Sequence, residues 1–514
     1  METKHTAGAT AIRQRARTHR ATGLLVVPSL GGLAVLLALA LAFATASAAA
    51  IQQALADENG VIALIDAGQF KAAETSIDRT LSRSNLLATT RNSMQFQRER
   101  MRRILLDFTL TSEELNARVR KEIPDLTDAQ FADWNARGLF EHQIIDGRTF
   151  YFNRSPSNLF RLSPQALARR RSQTPLVDGP MESANAHHRE VHDAAVAQHA
   201  DHVAPRHVRV TQTLTVKADA APAGELVHAW IPYPRALPKQ QEEIHLLESV
   251  PTSPVIAPES ASQRTVYLEQ IAQAGKPTKF SITYEVIIYA QYHAIDVDKV
   301  LTATISPELA PFVAERAPHV VFTEPMRLFS RQIVGDEKNP WRIAQKLYAA
   351  VDQIPWAGAR EYSTISNISD YALSAGHADC GQQTLLLMTL LRLNGIPSRW
   401  QSGMIYSDGS YNNLHDWGQL YIAPYGWIPM DVTFGHLDST DPTIANFYLG
   451  SLDAYRIAFN DDYGHDFVPP KKFFRSETVD LQRGEAEWRG GNLYFDQWDY
   501  DFEWRFLPMQ GAAH

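Results

Sequence analysis

One stretch of this chain, Gly381–Asn394, carries apolar residues on almost every side at helical spacing. A helix of that composition has no face to give to water, so the remaining chain must build a core around it. Gly395 and Pro397 then supply a C-terminal stop. With 514 residues, 45% of them hydrophobic, there is material for about three globular units, and a wholly disordered chain is excluded. The formal net charge of -8, from 49 Lys+Arg against 57 Asp+Glu, disfavours a broad basic surface, so no nucleic-acid partner is expected. The apolar helix opens on Cys380, the only cysteine. An internal disulfide framework and a thiolate zinc site within one chain are therefore both excluded.

The N-terminus has a separate character. Arg13, Arg15, Arg17 and Arg20 precede an apolar run from Gly23 to about Phe43, and a small-residue run from Ala44 to Ala50 follows. That order is a secretory signal, and the run approaches the ~20 residues that span a bilayer, so residues 1–50 read as a signal peptide or an uncleaved anchor. Either reading exports the body to the periplasm or the cell exterior, with membrane anchorage as one alternative.

Residues 51–164 read as a helical hairpin, with Leu64, Phe70, Ala73, Ile77 and Leu81 near helical spacing and Gly68 at a turn, followed by a small module. In that module Thr111 or Ser112 caps one helix, a second begins near Thr127, and two strands flank Asp146 and Gly147. Residues 165–205 read as a solvated histidine-rich linker. If they were helical, His188, His192, His199 and His202 would share one face within about 80° and could hold a metal. Residues 206–297 are β-branched and partly alternating, as in an antiparallel sandwich. Helices return in residues 298–440, where Asn339 and Pro340 suit a helix start. Residues 441–514 interleave aromatics and acids, which suits a hairpin with one packed face or a grip on a sugar or cationic peptide.

Cys380 sits in the first turn of the buried helix, where unpaired amides and the helix dipole favour a thiolate, although a buried inert cysteine would occupy the same place. Downstream, His415 opens a strand and Asp431 closes the next. Two such neighbouring strands can present an imidazole and a carboxylate to the helix end, giving a Cys/His/Asp arrangement for nucleophilic catalysis. His377, Asp379 and Asp416 flank these residues and read as solvent-facing loop positions or as tuning groups. Arg399 reads as a partner for a nearby carboxylate.

With these motifs, including Leu391–Arg399, Gly403, the His415–Trp417 segment and the Trp427–Asp431 segment, the chain resembles the transglutaminase-like superfamily. The resemblance covers residues 340–435. It implies an α+β fold: a papain-like transglutaminase core, preceded here by the β-sandwich-like domain and the N-terminal helical region. It also implies Cys380 as nucleophile, His415 as general base and acid, Asp431 as orienter and the Cys380 amide as one oxyanion donor. Trp356 is the candidate for the second, or a core aromatic. The implied activity is thiol acyl chemistry on peptide or protein amides, with hydrolysis favoured over amine transfer and no cofactor or metal required. A non-catalytic peptide- or glycan-binding scaffold is the alternative. Ala378 and Gln419 stand where the family commonly has glycine and an acidic residue.

Overall fold

The computed structural model describes residues 52–509, apart from residues 55, 173–175 and 177–178. The segment read as a signal or anchor lies outside the described residues, and among these no helix is long and apolar enough to cross a membrane. Residues 52–54 and 56–59 are helical and belong to a first unit; the second runs from Gly60.

In the second unit helices Phe70–Leu81 and Ala88–Asp107 pack together, so the turn expected at Gly68 precedes this pair instead of joining it. Phe70, Ala73 and Ile77 bury against Met94, Met101 and Ile104. Gly68 turns the chain at φ +70°, and a Cβ there would run into the Ile144 carbonyl. Both threonines of the next module close capping boxes, Thr111 with Glu114 and Thr127 with Gln130. Strands His142–Ile145 and Arg148–Phe152 are joined at Asp146 and Gly147, whose φ values of 47° and 82° suit a tight hairpin turn.

The linker reading fails at helix Ala186–Gln198. His188, Val191 and Ala195 recur at helical spacing, and all three are buried. The histidines do not share a face: the helix ends at Gln198, His199 is left-handed at φ 51° and His202 opens a strand.

The β region consists of two sheets whose inward residues, among them Val210, Phe280, Tyr284, Val227 and Leu268, share one core. One sheet is built on the long strands His202–Val216 and Thr278–Tyr292, the other on Leu226–Pro232 and Thr265–Ile271. The C-terminal segment is woven into both. Trp498–Leu507 pairs along His202–Val216, and Glu485–Trp488 pairs with Leu226–Pro232.

The remaining core sets one helix, α1 (Cys380–Leu393), against a four-stranded antiparallel sheet. Its strands are β1 (Ser398–Tyr406), β2 (Asn412–Ile422), β3 (Gly426–Met430) and β4 (Arg456–Asn460), in spatial order β3-β2-β1-β4. Every residue of α1 from Gly381 to Arg392 is buried, as its composition demands. Leu386, Leu387 and Leu390 meet Trp400 of β1, Leu420 of β2 and Ile428 of β3 in one core.

Candidate active site

Helix α1 starts at Cys380 because Asp379 caps it: the Asp379 carboxylate accepts from the Gln382 amide at 3.1 Å while the Gln382 side chain binds the Asp379 amide in return. On β2, His415 stands opposite Gly403 of β1, where a Cβ would run into the Ile457 carbonyl of β4. The pairing of Gly418 with Met430 carries the chain out of β3 into Asp431 at the His415 end of β2.

His415 and Asp431 are brought together. Nε2 of the ring and Oδ2 of the carboxylate lie 2.8 Å apart, and both residues are buried. The ring stacks on Phe434 at 4.5 Å. Oδ1 of Asp431 accepts from the Thr433 and Phe434 amides at 3.2 Å, and Oδ2 also accepts from Arg456 Nη1 at 2.8 Å. Arg456 in turn donates to Asp453, which receives the Tyr448 hydroxyl at 3.0 Å. The Tyr448 hydroxyl also lies 3.0 Å from His188 Nε2. Burial pushes the Asp431 carboxyl up, but His415 and Arg456 more than offset it and hold it below the ordinary carboxylate range. With Nε2 committed to Asp431, Nδ1 is the ring nitrogen available for proton transfer.

Cys380 is half-buried and opens into the same cavity as His415, a space of about 250 Å³. Its hydrogen bond goes to Asp416 instead of the imidazole: Sγ lies 3.3 Å from Oδ2. Asp416 is buried, not a solvent-facing loop residue, and its Oδ1 accepts from Gln482 at 2.8 Å. Tyr362 donates to Asp379 at 2.7 Å and lies 3.4 Å from Asp416. A Cβ at position 381 would meet both Tyr362 and Asp416, so glycine there lets these groups close over the helix end.

This arrangement corrects the expectation of a lowered thiol pKa. Burial, followed by the charges of Asp416 and Asp379, pushes the Cys380 thiol well above its ordinary value. The helix end carries only about half a unit of positive charge, and the capping Asp379 already occupies the Gln382 amide. Burial also raises the flanking acids, Asp379 to about 6 and Asp416 to about 7.

Trp356 lines the cavity, four residues past the helix Pro340–Asp352, bridged in parallel to Ala378. Its ring lies 4.3 Å from the Arg161 guanidinium. His377 is buried, its ring edge-on to Tyr371. Arg399 donates to the Gln419 side chain at 2.7 Å and stacks on Trp427; the charges of Asp461 and Asp462 act on it, but among the described residues no carboxylate hydrogen-bonds it. Arg456, Asp453 and the cavity residues Glu477, Asp480 and Gln482 have no motif around them; Arg456 reaches back 25 positions to Asp431, and Gln482 reaches back 66 to Asp416.

Residues 327–432, which contain Cys380, His415 and Asp431, match the model of the transglutaminase-like superfamily. That segment is a transglutaminase-like core. The core carries its helix and first three strands within a mixed helix and sheet fold. No curated protein matches the chain. Among solved structures, a candidate cysteine protease from Cytophaga hutchinsonii is similar at 13% identity and a TM-score of 0.39, covering 60% of this chain and 94% of its own. The periplasmic domain of TgpA from Pseudomonas aeruginosa is similar at 13% identity and a TM-score of 0.25, covering 46% and 93%.

Proposed function

We propose that this chain is an exported thiol enzyme that cleaves amide bonds of peptides or proteins through a cysteine thioester, with Cys380, His415 and Asp431 as its catalytic residues. The observation that carries the reading is the buried 2.8 Å contact between His415 and Asp431, on the wall of the cavity into which the only cysteine opens. In the reaction, the thiol proton passes to His415 and sulfur attacks the amide carbonyl. The developing oxyanion is met by the Cys380 amide and the Trp356 indole. His415 then protonates the leaving amine as the C–N bond breaks, and a thioester remains. Water, deprotonated by His415, hydrolyses it to a carboxylic acid and the free thiol. Export is supported by the basic, apolar and small-residue order of residues 1–50.

The test is incubation of the purified protein with a peptide library, with and without a primary amine, read by mass spectrometry. Cleaved peptides carrying new carboxyl ends support hydrolysis, amine adducts support transfer, and no product from wild type at any pH overturns the enzymatic reading. The bond between Cys380 and Asp416 favours one second reading, a peptide- or glycan-binding scaffold with a silent thiol. That reading requires Cys380 to label slowly with iodoacetamide, and equally slowly in His415→Ala.

A further inference from the structure

Beside Cys380 the cavity wall is formed by acids that the catalytic cycle above does not use. Asp480 is 3% exposed, and its Oδ2 has no hydrogen-bond donor. Burial, then the charge of Asp416 and a carboxyl-to-carboxyl hydrogen bond with it, push the Asp480 carboxyl up, and buried Glu477 lines the same space. The cations nearest Asp480 direct their hydrogen bonds to groups other than its carboxylate. Arg483 grips Glu361 with both terminal nitrogens, at 3.0 and 2.6 Å, and comes only within 3.7 Å of Glu477. Arg475 gives its terminal nitrogens to Gln263 and to the carbonyls of His465 and Asp480. Among the described residues, no guanidinium or ammonium hydrogen-bonds the Asp480 carboxylate. Burial outweighs the attraction of Arg483 for Glu477 and pushes it up to about 8, and it pushes Asp416 up to about 7, so these acids keep their protons up to about those values.

We infer that this wall is a subsite for a positively charged substrate group, an ammonium or guanidinium carried by the residue next to the attacked amide, received by Asp480 with Asp416 and Glu477 beside it. The inference rests on the reading of Cys380 as nucleophile. A buried carboxylate is tolerated when a cation meets it, and a cation bound here takes the place of the acids' protons. It also shields the thiolate from Asp416, 3.3 Å from Sγ. The group that selects the substrate therefore also favours the attacking form of the sulfur.

Because Cys380 is the only cysteine, alkylating reagents of different charge test the subsite without knowledge of the substrate. The full chain is labelled with 2-bromoethylammonium, iodoacetamide and iodoacetate, read by intact mass, and each rate is divided by that of N-acetylcysteinamide. Expected is a preference of about tenfold for the cationic reagent over iodoacetamide, with iodoacetate the slowest. In Asp480→Asn and in Glu477→Gln the preference, taken against each variant's own iodoacetamide rate, falls several-fold. Two variants are used so that misfolding of one leaves the other informative. Fast, His415-dependent labelling by iodoacetamide with no charge preference overturns the subsite and leaves the nucleophile standing. A preference undiminished in both variants overturns the assignment to these acids. Slow labelling by iodoacetamide that His415→Ala does not alter overturns the nucleophile reading, and the subsite with it.

Discussion

Replacing Asp416 by Asn removes one negative charge 3.3 Å from the Cys380 sulfur and little volume. Two unit charges at roughly that separation repel by about 5 kcal/mol at an effective dielectric of 20 and by about 1 kcal/mol in water. A half-buried site lies between these limits, so the Asp416 charge weighs substantially against the thiolate and raises the thiol pKa. Asp416 itself is raised to about 7, so it is charged mainly above that pH, where the effect is largest. The assay is iodoacetamide labelling of the single cysteine across pH 5 to 10, followed by intact mass. Asp416→Asn is expected to move the labelling midpoint down by at least about one unit and to speed labelling near pH 7.5 by about tenfold. The asparagine Oδ1 can still accept from Gln482, and a thermal melt checks that the fold survives. A midpoint that stays or moves upward refutes the reasoning. It would mean that Asp416 accepts the thiol proton productively instead of penalising the thiolate.

Three further outcomes follow from the same contacts. Arg456→Met leaves Asp431 and Asp453 buried without their shared cation, and is expected to cost about 3–5 kcal/mol in urea unfolding. A loss below about 1 kcal/mol would show that the two carboxylates find other partners. Gly381→Ala forces Tyr362 or Asp416 to move, and a loss of about 1–3 kcal/mol is expected despite the better helix propensity of alanine. Asp416 and Glu477 are raised from 3.8 to about 7 and from 4.5 to about 8, so the native state binds more protons than the unfolded chain between those values. Stability from this cluster is thus full below about pH 4 and lost as pH rises through about 8. Melting temperatures from pH 4.5 to 8.5 should fall with pH, less steeply in Glu477→Gln, and a rise in wild type would contradict the sign.

The parts of this molecule that were legible in sequence are those fixed by neighbours a few residues away. Thr111 and Thr127 reach amides three positions on, and α1 declares its burial in its own composition. The strand that carries His415 and the one that leads into Asp431 are adjacent and joined by a tight turn. Asp416 was not legible, because alternation reports solvent only where one face of a strand is wet. On β2 every residue from His415 to Leu420 is buried, so the polar position between His415 and Trp417 lies inside. The linker reading failed for the opposite reason: alanine and histidine look soluble one at a time, yet the spacing of His188, Val191 and Ala195 buries a stripe. The C-terminal acids were the least legible, since a charged residue is by default a surface residue and nothing local marks an exception. An interior charge is retained where a partner meets it, and that partner comes from elsewhere in the chain or from outside it. Asp453 has its partner in Arg456, three residues on, whereas the Asp480 carboxyl faces another acid, Asp416, and no cation among the described residues hydrogen-bonds it.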